Sequence, residues 1–434
     1  MTFDHPTSRP TSACSNAANA AWSQIVGEVA ARFGTPVYIY RPALIEKRIG
    51  EITGAFPAPF AISFAVKSNP NPWLLSWLRG RIGAVDVSSG GEVALALRCG
   101  WPADKITFTG PAKTEAEIEA AVKTNVGGLV VESLDEAHEV DRIAGACGHH
   151  QRILIRIAPA EAEPGFAVRI AGRPSQFGID EAELSAAIAT INGCANLMLD
   201  GFHAYTGAQC QEDEAIAAHF RTLWRLFREA VHLAEHPISE LIFGGGMGIP
   251  YHDGDVALDI PRLQPVMREI VDEIAAEPGL EAPKLKLEIG RYLVGESGLY
   301  VTRVVRTKVS MGSDIVLCDG GLNHNLGACG HLGGIAHRHY RMLPVRAHEP
   351  AVEKTYRIVG PLCTTIDTLA HRVTMGELHA GDLIGVHCSG AYGPSASPLN
   401  FISYEPPKEI AVLEEDGGHK FEDITWMKSP FAAT

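Results

Sequence analysis

The chain has 434 residues, 46% of them hydrophobic, and a formal net charge of −14. That length favours two or more domains, and the apolar content supports a large buried core and argues against disorder. The acidic balance argues against nucleic-acid and anionic-membrane partners, which need a basic footprint. Nine cysteines are scattered without a CxxC pair, the pattern of reduced thiols in a cytoplasmic protein, with neither a disulfide frame nor a metal site.

The opening residues, MTFDHPTSRPTSACSNAANA, lack the basic patch and apolar stretch of a signal peptide. The first dozen or so are expected to be loose. No apolar run approaches the roughly 18 residues of a membrane span, so a soluble, cytoplasmic protein is expected. The strand-like TPVYIYRP (35–42) comes next.

Eight short β-prone segments follow: AISFAV (61–66), AVDVSS (84–89), ITFTG (106–110), GLVVES (128–133), ILIRIA (153–158), LMLDGFHA (197–204), ELIFGGG (240–246) and LKLEIG (285–290). Between them lie stretches with helical periodicity, such as SGGEVALALRCG, TEAEIEAAVKT and DEAIAAHFRTLWRLFREAVHLAE. Strands alternating with helices imply parallel pairing, and eight repeats fit a closed (β/α)8 barrel. Lys67, Ser88, His203, Gly244–Gly246, Glu288 and Arg291 fall at the C-terminal ends of these strands. A barrel places its active site there, but an open doubly wound sheet also binds at strand ends.

Beyond about residue 290, LYVTRVVRTKVS, DIVLCDGG, KTYRIVGPLCT and GDLIGVHC are β-prone and separated by turns. The predicted organisation is α/β: residues 1–41 join a mostly β domain formed with 289–434, and the barrel of 42–288 is inserted between them.

Several residues along this frame are suited to chemistry. Lys67 in SFAVKSNPN ends an apolar strand, where partial desolvation would free its amine to condense with a carbonyl; a lysine capping a strand at the surface would look the same. FGGGMGIPY (243–251) offers backbone that can approach a phosphate closely, or an ordinary tight turn. Ile249 breaks the GxGxxG pattern. Glu288 and Arg291 in LEIGRYLVGESG suit a ring nitrogen and an anion, or simply each other. Cys363 in VGPLCTTID is a proton donor or an inert thiol. Tyr392 in GAYGPSASPLNF either reaches a ligand or packs.

GTPVYIY, AVKSNP, DVSSGGE, GFHAYTGAQ, FGGGMGIPY, EIGR, GPLCTTID and GAYGPSASPLNF occur here in the order seen in group-IV, fold-type-III decarboxylases dependent on pyridoxal 5'-phosphate. The chain resembles that family, which includes diaminopimelate, ornithine and arginine decarboxylases, from about residue 33 to 405. The resemblance implies an alanine-racemase-like barrel with a second β domain. It makes Lys67 the cofactor-bearing lysine and Gly245 and Gly246 part of the phosphate loop. His203 joins the cofactor-binding set, and Glu288 becomes the partner of the pyridine nitrogen. Arg291 lies near the phosphate and the substrate carboxylate, and Tyr392 touches the cofactor. Cys363 is the proton donor, supplied in this family by the partner subunit of a head-to-tail homodimer.

Departures from the family narrow the substrate. Where diaminopimelate and ornithine enzymes carry an acid after the cysteine, this chain has Thr364. A neutral hydroxyl does not offset a buried cation, so a free basic amino acid fits poorly. The Arg-Pro-x-x-Tyr segment is replaced by DGGLNHNLGACGHLGG (319–334). In the His-x-His-x-Gly-Ser pattern, Tyr205 and Ala208 replace the second histidine and the serine. These features resemble a side branch acting on siderophore intermediates such as citryl-diaminopropionate, or on carrier-protein-bound amino acids. Thr364, Asn323, His324 and Asn325 are candidate readers of such a tail, with Arg291 and Tyr392 also reaching the substrate. The alternatives are diaminopimelate decarboxylation, a racemase on the same barrel, and an inactive regulatory homologue; retention of Lys67 and Cys363 argues against the last.

Overall fold

Side-chain caps and apolar spacing set the helices that surround the site. Ser89 and Ser133 accept the N–H of Glu92 and Glu136 at the starts of Gly90–Arg98 and Leu134–Ala146, and Thr114 with Glu117 forms a reciprocal capping box for Glu115–Thr124. Helix Asp213–Ala234 buries Ile216, Phe220, Leu223, Trp224, Phe227 and Val231 along one face, the three-and-four spacing that lets a helix cover a sheet. The computed structural model describes residues 13–161, 163–332, 338–345, 350, 352–415 and 418–428, with side chains from residue 21 onward. The first dozen residues, expected to be loose, lie outside these. No described helix is long and apolar enough to cross a membrane.

The chain divides into two units, one within Met1–Ala43, Pro250–Val256 and Glu296–Thr434, the other within Leu44–Ile249 and Ala257–Gly295. The second unit is the barrel. Its strands, in chain order, are Phe60–Ala65, Ala84–Val87, Ile106–Phe108, Gly128–Val131, Gln151–Ala158, Leu197–Ala204, Ile238–Gly244 and Leu280–Ile289. Neighbours pair in parallel, and the last pairs back onto the first (Glu288 opposite Ser63) to close the ring. Val130, Leu154 and Ile242 form an apolar cluster in its core. Lys286 is also buried, bound to Glu240 at 2.5 Å and to Thr107 at 2.8 Å, which supplies the pairing a buried charge requires.

One feature of the barrel is absent from the periodic pattern. The long connection after the fifth strand carries Phe166–Arg169, which pairs antiparallel with Gly207–Cys210, and then Ile179–Asp180, which adds to the edge of the fifth strand. These strands are too short for alternation to reveal them.

The first unit is mostly β, with a nine-stranded sheet among its described residues. Its long strand Gly298–Ser310 pairs antiparallel with Val37–Tyr40, Ser313–Cys318 and Leu383–Val386. Val37–Tyr40 runs parallel to Lys408–Glu415, so the opening strand belongs to the sheet of the C-terminal segment, as expected. Ser313–Cys318 continues through Glu353–Val359 to Thr368–Gly376.

Candidate active site

Lys67 follows the first barrel strand, in the single turn Val66–Ser68. Its side chain is 46% exposed, yet its Nζ lies 3.6 Å from Glu288 Oε1 and 4.0 Å from Asp86 Oδ2. The strand alone suggested an apolar setting; the ammonium instead sits beside two carboxylates. Glu288 comes from the eighth strand and Asp86 from the second, so only closure of the ring joins them.

The two carboxylates are driven apart in acidity. Burial pushes the Glu288 carboxyl up, but Lys67, the His203 hydrogen bond and charge, and Arg156 together hold it well below the usual carboxylate range. For Asp86, burial and the nearby Glu288 outweigh Lys67 and the Thr109 hydroxyl and raise its pKa well above normal. The pair thus comprises one firmly ionised acid and one that tends to keep its proton. His203 lies 2.7 Å from Glu288 through Nε2, and burial lowers its pKa against that partner. A neutral ring donating from Nε2 leaves Nδ1 as a bare acceptor, and Nδ1 is buried without a partner among the described residues.

The glycine triplet joins this cluster through the backbone. Gly245 N–H donates to Glu288 O at 2.9 Å, so the seventh and eighth strands fix the triplet against the glutamate. Gly246 has φ +66°, and a Cβ there would fall 2.6 Å from Phe166 and 3.0 Å from Gly207 O. Only glycine fits that turn without a shift. Tyr205 lies against Gly244, where a Cβ would come within 2.5 Å of its ring. Arg291 opens the short helix Arg291–Val294 one turn beyond Glu288 and is half-buried.

Sequence reasoning overlooked the groups that hold these parts in place. Glu132 receives Arg156 at 3.0 and 3.1 Å and the backbone N–H of Gly110 and Gly178, tying three strand ends together. His219 lies 2.9 Å from Thr206 Oγ1 and donates to Gly244 O at 2.7 Å; burial drops its pKa to about 4, so it stays neutral. Glu132 follows an apolar strand and His219 lies on the buried face of an amphipathic helix, so each becomes informative only once burial is known.

The remaining candidates belong to the β unit. Cys363 is exposed. Asp367 accepts the N–H of Leu362 at 2.8 Å and of Leu322 at 2.7 Å, joining the GPLCTTID and DGGLNH segments. Gly321 and Gly360 touch there, each Cα 2.6 Å from where the other's Cβ would stand, so neither position admits a side chain. Asn323 and His324 are buried: the His324 ring meets Glu405 O at 2.9 Å and Tyr300 Oη at 3.4 Å, and burial lowers its pKa to about 4. Asn325 donates to Ser389 Oγ. Thr364 lines a cavity of about 490 Å³ with Arg306 and Arg357. Tyr392 is half-buried, with a left-handed φ of +54° that is uncommon for a residue with a side chain.

In the barrel, an amine, an ionised carboxylate and a side-chain-free loop suit a ligand with an aldehyde, a protonated ring nitrogen and a phosphate. No group of three or more metal-ligating side chains stands among the described residues. Residues 43–295 match the pyridoxal-binding domain of pyridoxal-dependent decarboxylases. The chain is 32% identical to an L-glutamyl-[BtrI acyl-carrier protein] decarboxylase of Niallia circulans, covering 90% of this chain and 91% of that one. It is 31% identical to a diaminopimelate decarboxylase of Aquifex aeolicus, covering 91% and 90%. Similarity at 28% extends to a 2-[(L-alanin-3-ylcarbamoyl)methyl]-2-hydroxybutanedioate decarboxylase of Staphylococcus aureus, covering 87% and 94%. Likeness over nearly the full length of three such enzymes, on a barrel built for this cofactor, places the chain in the pyridoxal-dependent decarboxylase family as a decarboxylase that uses pyridoxal 5'-phosphate.

Proposed function

We propose that this enzyme decarboxylates an amino acid whose tail is bulky and non-cationic, either a siderophore intermediate of the citryl-diaminopropionate kind or an amino acid held on a carrier protein. The observation that carries this reading is Thr364, beside the exposed Cys363 and in a cavity wall shared with Arg306 and Arg357. A hydroxyl and two guanidinium groups disfavour a distal ammonium, and the acids of the same wall, Asp319 and Asp367, already accept hydrogen bonds from the protein. The relatives' names provide two fitting tails, a carrier-linked glutamyl group and a hydroxybutanedioate joined through an amide. Identity by itself does not choose, since a diaminopimelate decarboxylase is nearly as similar.

Pyridoxal phosphate, when bound, supplies an electron sink for the bond broken at Cα. Lys67 would hold it through its amine and yield that place to the substrate amine. Glu288, kept ionised by Lys67 and His203, would hold a proton at the ring nitrogen. The Gly244–Gly246 turn, backed by His219, would receive the phosphate, with Arg291 close by; Tyr205 offers a ring to stack against and Tyr392 a further contact. Asn323 and His324 would shape the tail site from behind, through the segment that Asp367 ties to the Cys363 loop. Cys363 would return a proton to Cα. We take the working form to be a head-to-tail homodimer in the cytoplasm, with the thiol supplied across the interface.

The test is CO2 release from citryl-diaminopropionate, carrier-linked glutamate and diaminopimelate by the purified enzyme. Diaminopimelate should be the slowest of the three. A preference for it would overturn the reading.

A further inference from the structure

We propose that the cavity beneath the Cys363 loop is an anion subsite, which takes the carboxylate or phosphate carried on the substrate's tail. The proposal rests on the reading above that the tail is non-cationic, and it names the group that the tail presents. The cavity, about 490 Å³, lies wholly within the β unit, between the sheet face and the GPLCTTID segment. Leu362 and Thr364 line it while Cys363 between them is exposed. Adjacent Cα atoms are about 3.8 Å apart, so the cavity wall begins one residue from the thiol.

Its acids and arginines balance in number but differ in how far their hydrogen bonds are satisfied. Two acids line it, but both are engaged by the protein. Asp319 accepts from Thr35 Oγ1, Thr302 Oγ1 and Arg303 N at 2.5–2.8 Å. Asp367 is held by two backbone N–H groups. The two cations are not so engaged: Arg306 and Arg357 are in no ion pair among the described residues. Arg357 donates from Nη2 to Thr368 Oγ1 at 3.1 Å, but its Nε is buried with no acceptor among the described residues. A buried donor without an acceptor is costly, and a guanidinium fork is best satisfied by a carboxylate or phosphate. Thr364, Thr365 and Tyr404 add hydroxyls to the same wall.

The holoenzyme can be titrated calorimetrically with two probes, citrate for a polycarboxylate tail and inorganic phosphate for a phosphate-bearing one. At least one should bind. R357M should weaken that binding about tenfold or more, R357K should retain most of it, and R306M serves as an independent second variant should R357M fold poorly. The anion that binds should also compete with an acidic-tailed substrate, raising KM in wild type but not in R357M. The proposal is overturned if neither anion binds wild type, if both arginine variants bind as tightly as wild type, or if the bound anion inhibits without raising KM. Failure of the functional reading is distinguishable, because it would appear as preferential CO2 release from diaminopimelate while the titration still reports on the cavity.

Discussion

The rim of the barrel and the Cys363 loop of the β unit treat their reactive groups in contrasting ways. At the rim, Lys67 and His203 flank Glu288 while Arg156 pairs with Glu132, and burial plus pairing sets Glu288 ionised and His203 neutral. On the loop the thiol is exposed, and the buried groups, Asp367, Gly321 and Gly360, serve only to hold the backbone that presents it. The rim is thus a finished receptor, whereas the loop is a presented tool. A cofactor site needs fixed charges to tune a ring; the role proposed for Cys363, a proton donor acting across an interface, would need a rigid loop and open access.

This contrast can be broken by experiment. Lys67→Ala should lower kcat by about 1,000-fold or more, the scale of losing a covalent catalytic group, and should abolish the visible absorbance of the bound cofactor. Cys363→Ala should leave that absorbance intact while kcat falls about 100-fold, within the range for general acid catalysis. Loss of absorbance in the cysteine variant would erase the distinction between the two regions.

Acid should strain both units through buried neutral histidines. His219 of the barrel and His324 of the β unit each have a pKa lowered from 6.5 to about 4. Between those values the unfolded chain binds more protons than the native one, so their stabilising contribution is full above about pH 6.5 and is lost progressively as the pH falls toward 4. The expected loss at pH 5 relative to pH 7 is up to about 2 kcal/mol per histidine, read from urea midpoints. His219→Gln should flatten the part of that pH dependence that belongs to the barrel. An unchanged slope would mean that His219 does not carry it.

The smallest expected effect tests the loop. Asp367→Asn leaves one acceptor oxygen for two backbone donors and should cost about 1–2 kcal/mol of stability. It should also lower kcat without altering cofactor absorbance. If absorbance changes as well, Asp367 is not confined to holding the loop.

Much of the architecture was legible in the chain. Apolar runs at AISFAV, GLVVES and ELIFGGG, separated by helical periodicity, predicted the barrel, and TPVYIY was correctly joined to the C-terminal sheet. Lys67, Glu288 and the glycine triplet were visible because each ends a strand with an unusual residue. Asp86 was read only as part of a strand, and Glu132, Arg156, His219 and Asp367 were not singled out. Nor was the strand Phe166–Arg169, whose partner lies across a long connection.

The sequence by itself determined what neighbours along the chain decide: strand and helix periods, caps, and the glycine turns. Tertiary structure alone decided which acid pairs with Lys67, which carboxyl keeps its proton, and that Arg357 reaches a cavity beside the thiol loop. Those outcomes depend on distances and burial between residues far apart in the chain. A local pattern cannot encode them, because the energy of a charge is set by whatever surrounds it once water has been excluded.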